Sequence, residues 1–344
     1  MRVLVTGGAG YIGTHTLVEL LSSGHSPVVL DNLSNGSAEA LYRVEGLTGS
    51  AIPLCRADIR DREAVDRAFT QYGEIDAVIH LAGLKAVGES VINPAVYYEN
   101  NVAGSLNLIS AMEAFNCRRL IFSSSASVYG EPSTLPLREN APLSPASPYA
   151  RTKLQVEQML ADIGYADSRW RIALLRYFNP VGAHPSGEIG ESPRGTPNNL
   201  MPYIIQVAAG LKQKLSVFGG DYPTADGTGV RDYIHVVDLA RGHVRALEVL
   251  DDLQVTTLNL GRGEGYSVLE VLRTFERVSG LRIPYEIVAR RAGDVAQCYA
   301  DSTLAQQLLA WRAGLDLEQM CRDAWNWQCT GTLLDEARGA RRDA

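Results

Sequence analysis

The sequence predicts an α/β fold in which a doubly wound parallel sheet is followed by a smaller α/β lobe. Apolar runs typical of buried strands occur at 3–6, 27–31, 51–55, 76–82, 120–125 and 171–177. Segments with a 3.6-residue apolar period alternate with them, at 11–23, 61–71, 95–116 and 149–163. Strand and helix repeated in this way indicate parallel strands joined by right-handed crossovers.

The chain is long enough for two structural units, because its 344 residues exceed the usual size of a single hydrophobic core. Residues 179–202 are rich in glycine, proline and asparagine. We therefore expect a sheet domain at 1–179, a substrate-binding lobe at 180–338 and a frayed tail at 339–344. Patterns within 235–261 resemble a helix and a strand that return to the first sheet.

Bulk properties exclude several classes of protein. The net charge of −7 does not suggest a nucleic-acid binder, and no apolar run approaches the roughly 20 residues that span a bilayer. The first ten residues reach glycines before a signal-peptide core can form, so we expect a cytoplasmic protein. The five cysteines lack C-x-x-C spacing and the six histidines lack H-E-x-x-H spacing, so we expect neither a disulfide framework nor a metal site.

A glycine-rich loop joins the first predicted strand to the first predicted helix. In "TGGAGYIG" (6–13), Gly7, Gly10 and Gly13 allow a tight turn and close approach of a pyrophosphate to the helix N-terminus. Asp31 ends the second strand, where a carboxylate accepts hydrogen bonds from ribose hydroxyls and repels a 2′-phosphate. The pattern predicts a Rossmann sheet that binds NAD in preference to NADP.

A tyrosine and a lysine share one face of a later helix. Tyr149 and Lys153, in "YARTK", are four residues apart and follow the serine-rich segment "FSSSASVYG" (122–130). A free phenol has a pKa of about 10, but a nearby ammonium and a positive nicotinamide ring favour the phenolate. We expect Tyr149 to act as a general base, with a serine hydroxyl on the same substrate oxygen.

These motifs together resemble the extended short-chain dehydrogenase/reductase family. More narrowly, the chain resembles the UDP-glucose 4-epimerase branch in blocks that extend through the second lobe. The matching blocks are "HLAGLKAVGESV" (80–91), "NNV" (100–102), "SSSASVYG" (123–130), "LRYFNPVGAHPSG" (175–187), "PNNLMPYI" (197–204) and "GTGVRDYIHV" (227–236).

The resemblance implies a set of site residues. The catalytic residues would be Ser125, Tyr149 and Lys153. Besides the three glycines and the Tyr–Lys pair, the NAD contacts would be Tyr11, Ile12, Asp31, Asn32, Asp58, Ile59, Leu81, Lys85, Asn100 and Phe178. Besides Ser125 and Tyr149, the nucleotide-sugar contacts would be Asn179, Asn199, Leu200, Phe218, Arg231, Arg291, Asp294 and Cys298. Two alternatives stay open: Phe218 as a core residue, and Arg231 as the partner of Asp232.

The implied reaction is reversible C4 epimerisation of UDP-glucose and UDP-galactose through a 4-keto sugar, with NAD bound throughout. Dehydratases of this fold carry an acidic pair after the serine, where this chain has Ala126 and Ser127. A non-enzymatic NAD sensor is the other alternative, although the catalytic residues are retained.

Cys298 lies where family members carry either a bulky tyrosine or a small residue beside the hexose C2 substituent. The small side chain implies that UDP-N-acetylhexosamines are also substrates, whereas the competing interpretation is a small buried hydrophobe. The resemblance further implies a homodimer formed through helices at about 95–116 and 149–163.

Overall fold

The computed structural model describes residues 1–192, 197, 199–291 and 293–342, with side chains described as far as Thr330. In chain order, the strands are β1 (Arg2–Thr6), β2 (Ser26–Asp31), β3 (Leu54–Arg56), β4 (Ala77–His80), β5 (Arg119–Ser125), β6 (Arg171–Tyr177), β7 (Asn179–Val181), β8 (Leu215–Phe218), β9 (Val230–His235), β10 (Val255–Leu260), β11 (Gly265–Ser267), β12 (Tyr285–Val288) and β13 (Gln297–Cys298). The α-helices are α1 (Tyr11–Ser22), α2 (Ala38–Thr48), α3 (Arg62–Gln71), α4 (Val87–Ile92), α5 (Pro94–Tyr98), α6 (Gly104–Ala114), α7 (Pro148–Ala166), α8 (Leu200–Ala208), α9 (Val236–Glu248), α10 (Val268–Ser279), α11 (Thr303–Leu309) and α12 (Leu317–Arg342).

Seven parallel strands form the main sheet, in the order β10-β6-β5-β4-β1-β2-β3. The order reverses between β1 and β4, which creates a crevice beyond their carboxyl ends where such sheets bind ligands. The predicted doubly wound α/β fold is confirmed. β10 is the edge strand beside β6, and α9 lies against α1.

Alternate residues of the strands bury opposite faces of this sheet. Val3 and Val5 belong to the core beneath α1, α2 and α9, whereas Leu4 belongs to the core beneath α3, α6 and α7. Because both faces are covered, the strands are apolar on both sides, as expected for a parallel sheet. This packing fixes the strand ends that carry the site.

The predicted helix at 95–116 is wrong as a single element. The chain there forms α5, a π-helical turn at Glu99–Ala103 and then α6. The apolar period continues through the turn, so periodicity could not reveal the extra residue. Within this turn, the Asn101 side chain points inward and forms hydrogen bonds with the backbone of Leu84 and with Thr152.

The second lobe contains a small sheet in which β9 pairs with β7, β11 and β13, and a two-stranded sheet of β8 and β12. Helices α8, α10 and α12 pack around a separate apolar core. The chain is helical as far as Arg342, and the fraying expected from residue 339 stays a prediction. Alanine and arginine favour helix, which accounts for the continuation. Asp343 and Ala344 lie outside the described residues.

Over the described ranges, none of the helices has the length and apolar character required to span a bilayer.

Candidate functional site

The glycine-rich loop is closed tightly against its own backbone. Gly7 has φ +72°, and a Cβ at Gly13 would lie 2.5 Å from the carbonyl oxygen of Gly7. Gly10 is the N-cap of α1 without a side-chain cap, so its helix N-terminus keeps backbone N–H groups available to an anion. Side chains at Gly7 and Gly13 would collide with backbone atoms, so the glycines allow the tight turn that a dinucleotide-binding loop requires.

The acidic residue at the end of β2 braces the same loop. The Asp31 carboxylate accepts hydrogen bonds from the backbone N–H groups of Ala9 at 3.0 Å and Leu33 at 2.8 Å. Asn32 donates to Asp58 at 2.8 Å, and Arg60 holds the pKa of Asp58 down at about 2. These groups therefore form one polar edge at the ends of β2 and β3.

Most of the remaining predicted cofactor residues are buried or half-buried. Ile59 is buried, Ile12 and Leu81 pack partly against the core, and Phe178 is 5% exposed. The Tyr11 hydroxyl donates to the Gly182 carbonyl at 2.7 Å, and Asn100 donates to Asn101 at 2.9 Å. Residues from both lobes thus meet at the start of α1.

A cavity of about 480 Å³ opens beside the glycine-rich loop. Its lining includes residues 9–11 and 34–37 of the sheet domain, residues 83–86 after β4, and residues 188–192 with Trp327 from the second lobe. This volume falls within the range of small-ligand sites. Its position at the reversal of strand order is where a dinucleotide binds in such folds.

The predicted catalytic side chains converge next to this cavity. The Ser125 side chain accepts hydrogen bonds from the N–H and hydroxyl of Ser127, at 3.2 and 2.9 Å, which leaves its own proton for Tyr149. Lys153 donates to the Ser123 carbonyl at 2.6 Å and lies 3.5 Å from where a Cβ of Gly83 would be. Gly83 lines the cavity, so Lys153 lies behind that part of the cavity wall.

The electrostatics of Tyr149 differ from the sequence prediction. Burial raises the pKa of Tyr149, and the hydrogen bond with Ser125 opposes that rise. The net lowering of the Tyr149 pKa that the sequence predicts is therefore wrong for the protein alone, because burial is the largest cause of its shift. Burial also lowers the pKa of Lys153 to about 8, against the opposing charge of Glu157.

Three predicted nucleotide-sugar residues contact one another in the second lobe. The Arg291 guanidinium lies 5.1 Å from the centroid of the Phe218 ring and 3.3 Å from an Asp294 oxygen. Phe218 is 41% exposed, so the alternative of a core residue is wrong. This arrangement presents an aromatic face and a cation together, which suits a pyrimidine nucleotide.

Arg231 lies beside Cys298, its partner in the register of β9 and β13. No ion pair joins Arg231 to Asp232 in the part of the chain that the structure describes. The Asp232 carboxylate instead accepts backbone N–H groups of residues 262, 263 and 300. Of the other predicted contacts, Asn179 is exposed at the start of β7, Leu200 begins α8, and Asn199 donates to Glu191 at 2.8 Å.

The Cys298 thiol is half-buried and unreactive. Its side chain packs against a cluster that contains Ala126 and Phe178, which follow the ends of β5 and β6. Burial raises the pKa of the thiol to about 11, so the nucleophilic thiolate is scarce at neutral pH.

Sequence reasoning missed a buried ion pair beneath α7. Arg176 donates to both carboxylate oxygens of Glu157, at 3.0 and 2.6 Å, and the two side chains are 4% and 5% exposed. Ser124 also bonds to Glu157. The pair ties β5 and β6 to α7. The spacing of the two residues in the chain gives no signal of their contact.

Known proteins resemble this chain over nearly its full length. The model of the NAD dependent epimerase/dehydratase family matches residues 3–261. A UDP-glucose 4-epimerase of Bacillus subtilis (strain 168) is 60% identical over 329 residues, which are 95% of this chain and 97% of that protein.

Solved structures agree with this similarity. A UDP-glucose 4-epimerase from Stenotrophomonas maltophila, with bound NAD and formylated UDP-arabinopyranose, has a TM-score of 0.95 and 52% identity, covering 97% of this chain and 99% of that one. A UDP-glucose 4-epimerase from Bifidobacterium longum, in complex with NAD⁺ and UDP, has a TM-score of 0.94 and 50% identity, covering 96% and 99%. The predicted family resemblance and the NAD cofactor are confirmed. The glycine-rich loop and the match over most of the chain place this protein in the NAD-dependent epimerase/dehydratase family.

Proposed function

We propose that this protein interconverts UDP-glucose and UDP-galactose by inverting C4 of the hexose. The observation that carries the proposal is the hydrogen bond between Ser125 and Tyr149, together with the approach of Lys153 to Gly83 in the wall of the cavity beside the glycine-rich loop. The similarity to UDP-glucose 4-epimerases supports the same substrates. The chain is then an isomerase that consumes no cofactor.

The proposed roles follow from the geometry of the protein's own side chains. When bound, NAD⁺ accepts the hydride of C4 and later returns it. Tyr149 takes the proton of the 4-hydroxyl, which leaves a 4-keto sugar, and Ser125 donates a hydrogen bond to the same oxygen. The Lys153 ammonium, close to the cavity wall, stabilises the phenolate that forms.

Inversion requires that the sugar present its other face while its nucleotide stays bound. Phe218, Arg231, Arg291 and Asp294 are proposed to hold the nucleotide in the second lobe, with Asn179, Asn199 and Leu200 at its border. Because these groups lie in the second lobe, apart from Tyr149 on α7, the hexose can turn without release of the diphosphate. The division at residue 179 is part of this proposal.

The test is to incubate the purified protein separately with UDP-galactose and with UDP-glucose and to follow the anomeric protons by NMR. We expect both reactions to reach the same mixture without added NADH. A protein that forms no epimer and yields no NAD on denaturation contradicts the proposal. A dehydratase would instead release a 4-keto-6-deoxy sugar, and a non-enzymatic sensor would bind NAD without turnover.

We also propose that UDP-N-acetylhexosamines are substrates. The support is the small Cys298 side chain, which packs beside Ala126 and Phe178 and is less bulky than a tyrosine. Cys298→Tyr should abolish epimerisation of UDP-N-acetylgalactosamine and retain that of UDP-galactose, whereas Cys298→Ser retains both. A wild-type protein that rejects N-acetylated sugars refutes this pocket argument.

A homodimer is the third part of the proposal. Val96 on α5 and Leu106 on α6 are 45% and 49% exposed, an arrangement that favours burial against a second copy. Leu106→Glu should therefore yield monomers in sedimentation velocity. Leu211→Glu is the matched control, since Leu211 is 70% exposed outside those helices. A wild-type monomer contradicts the proposal.

A further inference from the structure

The cavity beside the glycine-rich loop has a wall that the second lobe supplies. Residues 188–192, which we name the strap, cross from the polar loop after β7 and line the cavity opposite residues 34–37. One strap residue is anchored in the core: Ile189 is 2% exposed and packs beneath α1 and α2. A dinucleotide in the cavity would therefore be enclosed between two lobes.

The C-terminal helix α12 fastens one side of the strap. The Trp327 indole N–H donates to the Glu191 carbonyl at 3.2 Å, and a Cβ at Gly190 would lie 2.5 Å from the indole ring. Asn326 donates to the Pro185 carbonyl at 3.1 Å, just before the strap. The close packing of the indole against the strap backbone therefore fixes the position of the strap beside the cavity.

The sheet domain also contacts the Trp327 indole. The Arg43 guanidinium on α2 lies 5.2 Å from the centroid of the Trp327 ring and 3.4 Å from the Glu188 carbonyl oxygen. A cation over an indole contributes most where the site is desolvated, and Arg43 is 6% exposed. Arg43 and Trp327 therefore join the two lobes across the strap.

The Glu191 carboxylate makes the second attachment. One of its oxygens accepts hydrogen bonds from Lys85 at 3.0 Å and Asn199 at 2.8 Å. Lys85 is a predicted NAD contact, and Asn199 is a predicted nucleotide-sugar contact. A single carboxylate, 13% exposed, therefore connects the strap to residues of both proposed ligand sites.

We propose that the strap retains NAD in its site, and that Trp327 and Glu191 are the positioning residues that fasten it. Release of the dinucleotide requires the strap to lift, which breaks the indole and carboxylate hydrogen bonds. The inference rests on the proposed function, in which NAD stays bound through every cycle. Slow release is what that cycle needs, because a cofactor lost midway would leave a reduced dinucleotide and a free keto sugar.

The test measures the rate at which the purified holoprotein exchanges its NAD for isotopically labelled NAD in excess. Trp327→Phe keeps an aromatic ring and removes the indole donor, while Glu191→Gln keeps the shape and removes the charge. Each should release NAD about 3- to 10-fold faster, the effect of one or two lost hydrogen bonds on a barrier.

Trp325→Phe is the matched control, since Trp325 lies on the same helix but packs edge-on against Phe275 in the core of the second lobe. If Trp327→Phe and Glu191→Gln exchange NAD at the rate of this control, the strap proposal is overturned. Glu191→Gln is nearly isosteric, so it decides the matter if Trp327→Phe does not fold. A wild-type protein that binds no NAD would instead refute the proposed function.

Discussion

The buried ion pair beneath α7 should govern both the stability of the protein and the pKa of Lys153, the proposed catalytic lysine. Glu157→Gln keeps the size of the side chain but places an amide NH₂ where Arg176 now finds a carboxylate oxygen. One guanidinium N–H then faces another donor, in a place where Arg176 is 4% exposed and water cannot substitute. Removing one partner of a buried pair costs about 3–5 kcal/mol.

The assay for stability is urea denaturation followed by tryptophan fluorescence. We expect the free energy of unfolding to fall by about 3–5 kcal/mol, a large part of the roughly 5–15 kcal/mol that stabilises a typical domain. Asp66→Asn is the matched control, because its ion pair with Arg62 at 2.9 Å involves side chains that are 36% and 39% exposed. Such exposed pairs contribute at most about 1 kcal/mol.

The same substitution should alter the pH dependence of epimerisation. The Glu157 carboxylate opposes the fall that burial causes in the pKa of Lys153, which is about 8 with the carboxylate present. Without it the ammonium loses its proton at lower pH, so the alkaline decline of kcat/KM moves to lower pH. Equal destabilisation by Glu157→Gln and Asp66→Asn, with an unmoved alkaline limb, would refute this reasoning.

Two further substitutions probe the cofactor loop and the proposed base. Gly13→Ala places a Cβ 2.5 Å from the Gly7 carbonyl, so the purified protein should contain little NAD. Gly46→Ala is the control: it lies in α2 with open space around it, so this variant should keep its NAD and have a higher Tm. Equal NAD contents in the two variants would contradict the steric argument. Tyr149→Phe should lower kcat by about 10²- to 10⁴-fold in the NMR assay while the circular dichroism spectrum is retained, and a loss below tenfold would exclude Tyr149 as the base.

The fold could be predicted from the sequence because its signals are local. Most strands of the main sheet are apolar on both faces, and several of the crossover helices show an apolar period. The failures are local as well. The strand expected at 51–55 is observed as β3 (Leu54–Arg56), which is only three residues long and lies at the edge of the sheet. The π-helical turn escaped notice because one extra residue leaves the apolar pattern unchanged.

The site was predictable to the extent that the topology places strand ends together. Gly7 follows β1 and Asp31 ends the adjacent strand β2, so the glycine motif and a single carboxylate were enough to predict a shared ligand. Arg43 and Trp327 lie on helices of different lobes and are far apart in the chain. No periodicity relates them, and their contact exists only because α2 and α12 both pack against the strap.

This difference explains why one side of the cavity can be predicted from sequence, whereas the other requires the structure. The side built by the glycine-rich loop is specified by backbone geometry, which a few glycines reveal in sequence. The side built by the strap is specified by side chains that bond to backbone carbonyls, at Glu188 and Glu191, and carbonyls have no sequence signature. The contacts of the proposed strap can therefore be recognised only from the structure, because they depend on where the carbonyls lie.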